Sequence, residues 1–265
     1  VGAEGHDLNA VLVADVAHHE RIVAHRKAVV VPRFAEQFSP QMDQRLDGFI
    51  PQLRRFLHAP GNFEQRLVTT PLLRNGSRWE WDWDATDKAL ADGVRLFMLC
   101  HPHNPVGRVF DREELTRIAE LAERHDLVIC SDEIHCGLVL DPATPHIPIA
   151  ALDESVARRT ITLMAPSKTW NIPALYCAFA IIPDAALRAR YKKAMAGIVP
   201  HVNVLGLVAT EIAYRDCGPW REALVATLRS NAARVVEAIN ALSGLLTTPV
   251  EATYLAWIDC RKLLA

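Results

Sequence analysis

The stretch VRLFMLCHPHNPVGRVFDREELTRIAELAERHDLVICSDEIH, residues 94–135, decides the fold. Residues 94–100 (VRLFMLC) form an apolar run of strand length, and a polar, proline-containing turn follows over 101–108. Residues 111–124 then place Leu115, Ile118, Ala119, Leu121 and Ala122 at helical spacing. Asp111 is the expected N-cap, and Glu114 three residues later completes a capping box. Residues 127–130 (LVIC) make the next strand, which ends at Ser131 and Asp132. Strands alternating with helices predict an α/β fold with a mainly parallel sheet.

Working outward, residues 159–164 (RTITLM) read as a strand that runs directly into Ala165-Pro166-Ser167-Lys168. Residues 176–182 (YCAFAII) are a further strand, stopped by Pro183. Beyond Asn203 the pattern turns helical over 204–214 and 220–242, with Asp216-Cys217-Gly218-Pro219 between. Residues 245–259 then look like a hairpin or strand region entering a second domain. Upstream, 29–31 fits a strand and 11–16 a strand or a helix, whereas 37–57 shows no clean periodicity. The expected organisation is therefore an atypical segment over 1–60 and a three-layer αβα major domain over 61–202. An interdomain helix and the start of a small α+β domain follow over 203–265.

Half of the 265 residues are hydrophobic and 23% are charged, which suits a globular protein with a sizeable core. The net charge of -2 gives no reason to expect nucleic acid or an anionic membrane as partner. No apolar stretch is long enough to span a bilayer, and residues 1–9 lack the basic start and apolar run of a secretory signal. The six cysteines form no CxxC pair, so a reduced cytoplasmic setting is expected rather than a disulfide framework or zinc site. His6, His18, His19 and His25 lack metal-ligand spacing and read as surface residues.

In open α/β sheets, ligands collect at the carboxyl ends of strands. Asn104, Asp132 and Lys168 each follow such an end. Together they match the needs of a pyridine-aldehyde cofactor. That cofactor takes a lysine to hold its aldehyde, an acid at its ring nitrogen and a hydrogen-bond donor at its ring hydroxyl. Lys168 suits the first role if burial or a nearby cation lowers its pKa; otherwise it is a surface lysine at a strand end. Asp132 can pair with a pyridinium nitrogen, or it or Glu133 can cap the next segment. His135, three residues on, can hydrogen-bond the ring oxygen or a water, or be an ordinary histidine. Asn104, before Pro105 and followed by Gly107, is a turn signature as well as a candidate donor.

In order, NPVGRVF (104–110), SDEIHCGL (131–138), SKTWNIPAL (167–175) and EATYLAWID (251–259) resemble the class I/II aminotransferase superfamily of pyridoxal phosphate fold type I. The variants are most similar to its cystathionine β-lyase (C–S lyase) branch. The resemblance covers roughly residues 63–264. It implies a pyridoxal 5'-phosphate enzyme acting on a small-molecule amino-acid substrate, with Lys168 as the catalytic lysine bound to the cofactor. Asp132 would face the ring nitrogen, Asn104 the ring hydroxyl, and Ser167 would help hold the phosphate. His135 stands where aminotransferases of the superfamily have Tyr, and Tyr176 where many have a phosphate-binding Arg; both are lyase-branch traits.

The implied reaction is β-elimination from a cystathionine-type substrate to homocysteine, pyruvate and ammonia, with transamination as the alternative. A homodimer is also implied. His101 departs from the family's usual Asn, and Ala174 from its usual Gly. The family's glycine-containing phosphate loop and ring-stacking aromatic have no match in residues 1–60, and its carboxylate-binding arginine has none downstream. A truncated chain, or one with a replaced N-terminus, is thus expected, and an inactive fragment is the second alternative.

Overall fold

The computed structural model describes residues 10–14, 28–34, 60, 65–91 and 93–263, the first two stretches by backbone path alone. The unpatterned stretch 37–57 and the histidines at 6, 18, 19 and 25 lie outside the described residues. The described strands of the main sheet are β1 (Ala10–Ala14), β2 (Ala28–Phe34), β3 (Arg66–Asn75), β4 (Arg78–Trp81), β5 (Val94–Cys100), β6 (Val128–Asp132), β7 (Thr160–Met164) and β8 (Cys177–Ile181). They lie in the order β1-β8-β7-β6-β5-β2-β3-β4. The run β7-β6-β5-β2-β3 is parallel throughout. The flanking strands β8, β1 and β4 pair antiparallel with their neighbours.

The segment 1–60 thus supplies two strands to the same sheet. β2 lies in its interior, although its sequence AVVVPRF carries a proline. Proline lacks a ladder donor and is usually confined to edges. Here β5 pairs only with Ala28–Val30, so Pro32 lies beyond that ladder.

The helices follow from local chemistry. Helix α1 (Trp83–Leu90) is capped by Asp82, whose side chain accepts from the Ala85 N–H. Helix α2 (Arg112–Arg124) begins with the expected capping box: Asp111 accepts from the Glu114 N–H, and Glu114 accepts from the Asp111 N–H, both at 2.9 Å. Short α3 (Glu154–Arg158) and α5 (Ala185–Met195) start at Asp153 and Asp184 in the same way. A single turn, α4 (Pro166–Thr169), follows β7. Helices α6 (Val204–Asp216) and α7 (Gly218–Asn240) succeed it, and Pro219 sits in the first turn of α7, where its missing N–H costs nothing. The short strands β9 (Leu246–Thr247) and β10 (Ile258–Asp259) form the expected hairpin, with Ile258 opposite Thr247.

Successive residues of β6 point to opposite faces of the sheet. Ile129 packs in a core with Phe97, Leu99, and with Leu115, Ile118 and Leu121 of α2. Val128 and Cys130 pack instead with Ile161, Ala180 and Leu187, Tyr191 and Met195 on the side of α5. Both faces are therefore covered by helices, which is the three-layer αβα arrangement. Fully buried Phe97, Leu99, Leu115 and Ile129 each contribute about 1.5–3 kcal/mol by leaving water. They hold the parallel strands in a register that aligns their carboxyl ends.

Candidate active site

That register puts the expected residues on one edge. Cys100, the last residue of β5, is opposite Asp132, the last of β6, and Asp132 is opposite Leu163 of β7. Lys168 follows β7 in α4, and Asn104 follows β5 in the turn. The ladder continues into the loops: the His101 N–H donates to the Asp132 carbonyl and the Glu133 N–H to the Leu163 carbonyl, both at 2.9 Å.

Asp132 keeps a local role as well, since its Oδ1 accepts from the Ile134 N–H at 3.2 Å. Its charge reinforces burial in pushing the Cys100 thiol pKa up. Asn104 is buried, and its N–H donates to Cys100 Sγ at 3.5 Å. The turn around it holds two cis peptide bonds, His101–Pro102 and Asn104–Pro105. Ser167 is buried beside Lys168, whereas Tyr176 is half exposed in a left-handed conformation that ends a short helical turn.

Lys168 and His135 are brought together. Burial first, and the Lys168 charge second, push the His135 pKa down to about 4, so the imidazole is neutral at pH 7. His135 is 2% exposed, yet neither ring nitrogen has a hydrogen-bond partner among the described residues. Two unpaired polar atoms in a dry place are costly and point to a ligand that would satisfy them. Among the described residues, Lys168 makes no ion pair. The spacing is kept by Gly137, where a Cβ would stand 2.5 Å from Thr169 Oγ1. Only glycine lets the residue after Lys168 pack on the turn that carries His135.

Glu133, offered by the sequence as an alternative cap, is directed elsewhere. It is 1% exposed and accepts from Ser131 Oγ at 2.9 Å. Its other oxygen lies 2.8 Å from His146 Nε2. His101, the departure from the family's Asn, stacks between His146 and Phe110, at ring distances of 4.5 and 5.6 Å. Burial holds its pKa well below the ordinary value, so it acts as a neutral packing group.

Two features escaped the sequence reading. The first is Arg108, 2% exposed, which donates to Glu114 Oε2 at 2.6 Å, to Glu251 Oε2 at 3.2 Å and to the Trp79 carbonyl. The second is the segment 251–254. The N–H groups of Glu251 and Ala252 donate to the Gly107 carbonyl, and the Thr253 N–H donates to Leu138. This lays Tyr254 against His135, with ring centroids 5.6 Å apart and edge to face. EATYLAWID had matched the family as a string; its contact with the site needs the tertiary fold.

An open α/β sheet whose strand tips gather a lysine, a carboxylate and a dry imidazole defines a ligand-binding protein built at strand ends. More narrowly, the chain belongs to the class I and II aminotransferase family, whose profile matches residues 65–265. It is 32% identical over 219 residues to cystathionine beta-lyase PatB of Bacillus subtilis, a match that covers 79% of this chain and 54% of that protein. Among solved structures, OvoB superposes with a TM-score of 0.84 at 35% identity, over 97% of this chain and 64% of that one. Cystalysin from Treponema denticola, crystallised with pyridoxal 5'-phosphate, gives 0.82 at 28% identity, over 97% and 62%. The chain thus spans about half the length of PatB and under two thirds of these structures.

Proposed function

We propose that the protein is a pyridoxal 5'-phosphate-dependent C–S β-lyase for cystathionine-type amino acids. One observation carries the reading. Among the described residues, a buried imidazole with both nitrogens unbonded lies within electrostatic reach of a lysine that makes no ion pair, at neighbouring strand tips of this family's fold. These residues fit the cofactor: Lys168 would anchor it, Asp132 would face its ring nitrogen, Asn104 and His135 its ring oxygen, and Ser167 its phosphate. When bound, the cofactor supplies an electron sink that makes the substrate's α-proton acidic.

The chain's own residues supply the rest. Lys168 would take the α-proton and, as an ammonium, give it to the departing sulfur. Asp132 would hold a proton at the ring nitrogen by opposing its positive charge. Neutral His135 donates one hydrogen bond without adding a second positive charge beside Lys168. Overall, one water is consumed, the Cβ–S bond breaks, and cystathionine yields homocysteine, pyruvate and ammonia. His135 in place of Tyr and Tyr176 in place of Arg favour elimination over transamination.

In this reading the protein works as a homodimer in the cytoplasm. Val204, Leu205 and Val208 of α6 expose apolar area that a subunit contact could cover. All six cysteines are unpaired, as in a reducing compartment. No helix among the described residues is long and apolar enough to cross a membrane.

The test combines borohydride reduction, which fixes bound cofactor on lysine, with a pyruvate assay on cystathionine lacking any added keto acid. Adduct on Lys168 and pyruvate release are expected, and Lys168→Ala should abolish both. Activity that requires a keto acid makes the protein a transaminase. Neither adduct nor turnover makes it a non-catalytic fragment.

A further inference from the structure

Tyr254 is a large aromatic side chain in an unusual setting. Its neighbours Ala252 and Thr253 are fully buried, while Tyr254 is 46% exposed. The backbone that presents it is clamped on both sides. Ala252 bridges Val139, the Thr253 N–H bonds to Leu138 at 2.9 Å, and the Glu251 carboxylate is held by Arg108 and by the Val109 N–H.

Thr253 adopts a φ of +72°, a left-handed conformation that a branched side chain rarely takes. Backbone strain of this kind persists where the surroundings over-determine it, and it clusters at functional sites. The strain is not repaid by burying the tyrosine. What it achieves is to set one edge of the ring on His135 while the remainder faces solvent. The ring therefore stands between bulk water and the buried imidazole of His135.

Resting on the lyase reading, we infer that Tyr254 is a specificity-determining residue: its ring is the wall against which the substrate's β-substituent lies, and it favours amino acids carrying a thioether there. An aromatic face is a good partner for a divalent sulfur, which is soft and polarisable, and a poorer one for a small oxygen-linked or halide leaving group. A clamped backbone keeps that wall in place without an ordering cost on binding.

The experiment uses the full chain loaded with cofactor and compares Tyr254→Phe with Tyr254→Leu on cystathionine and on β-chloroalanine. Tyr254→Leu should raise KM for cystathionine by about two- to tenfold, the range of a sulfur–aromatic contact, with kcat little changed and KM for β-chloroalanine unmoved. Tyr254→Phe should keep the wild-type preference. A second readout needs no turnover: the ring-proton titration of His135, followed by NMR in cofactor-free protein. Tyr254→Leu should admit water and move the midpoint from about 4 toward the ordinary value of 6.5.

An equal KM change for both substrates, or loss of preference in Tyr254→Phe, overturns the inference. An unmoved His135 titration overturns it too, by showing that the ring does not cover the imidazole. Failure of wild-type protein to form any Lys168 adduct overturns the lyase reading and this inference together, while the titration still reports where the ring stands.

Discussion

Replacing Arg108 with methionine should destabilise the protein by about 3 kcal/mol, at the lower end of what breaking a buried ion pair costs. The guanidinium is 3% exposed and binds two carboxylates, Glu114 at 2.6 Å and Glu251 at 3.2 Å, whose side chains are 16% and 17% exposed. Methionine fills much of the volume, so the loss is electrostatic: two shielded carboxylates are left facing each other. Arg78 offsets part of it, since its nitrogens lie 3.7 Å from Glu114 and 3.9 Å from Glu251, but it is 44% exposed and the more screened partner.

The pH dependence has a definite sign. Burial already raises the Glu114 pKa in the native protein, with Arg108 opposing it, and removing Arg108 should raise it further. A carboxyl raised on folding binds its proton more tightly in the native state, so stability falls as pH rises through the interval between unfolded and folded values. The deficit of the variant should therefore be larger at pH 7.5 than at pH 5. Urea unfolding followed by tryptophan fluorescence at both values measures it. A deficit under about 1 kcal/mol at neutral pH, or one that grows on acidification, would refute the electrostatic account.

Gly137→Ala puts a methyl group 2.6 Å from Thr169 Cγ2, so it should cost about 1–3 kcal/mol and lower the yield of borohydride-fixed cofactor on Lys168. A normal yield with normal stability would show that Thr169 yields freely and does not place the lysine. His103 and His135 are both held at about 4 by burial, and His101 lies well below its ordinary value. Between about 4 and the unfolded value near 6.5, the unfolded chain binds more protons, so stability should be full above that window and lost as pH falls through it. Urea midpoints at pH 7 and pH 5 should show the loss, and His135→Gln should make it shallower. Equal midpoints at the two values would mean these rings are hydrated.

What the sequence reveals depends on how local the cause is. The capping box at Asp111, the helix after it and the strands over 94–100, 128–132 and 160–164 are all specified by residues a few positions apart. The positions of Asn104, Asp132 and Lys168 follow, because a parallel ladder brings the carboxyl ends of its strands to one edge. Residues 29–31 read as a strand and lie within β2, but the full length of β2 and the whole of β3 are different. AVVVPRF and RLVTTPLLRN each contain a proline and no clean alternation, and they become strands by pairing with each other in register from Ala28–Arg66 to Phe34–Leu72. Such pairing is a tertiary fact, and it extends the strands past what local propensity marks.

The same distinction separates the base of the site from its cover. The base is built by the ladder and is nearly written in the motifs. The cover joins Arg108 to Glu251, 143 residues away, and Tyr254 to His135. Nothing in either segment names the other, because a charge pair or a ring contact imposes no periodicity on the chain. In the inference drawn above, this long-range clamp sets how dry the imidazole is. On the proposed reading, the placement of Lys168 is set by strand register, whereas the protonation of its neighbour and the shape of the wall beside it are set by contacts across the fold. A substitution in the 251–254 segment should therefore alter selectivity and His135 titration before it alters the sheet, and a substitution in β6 should do the reverse.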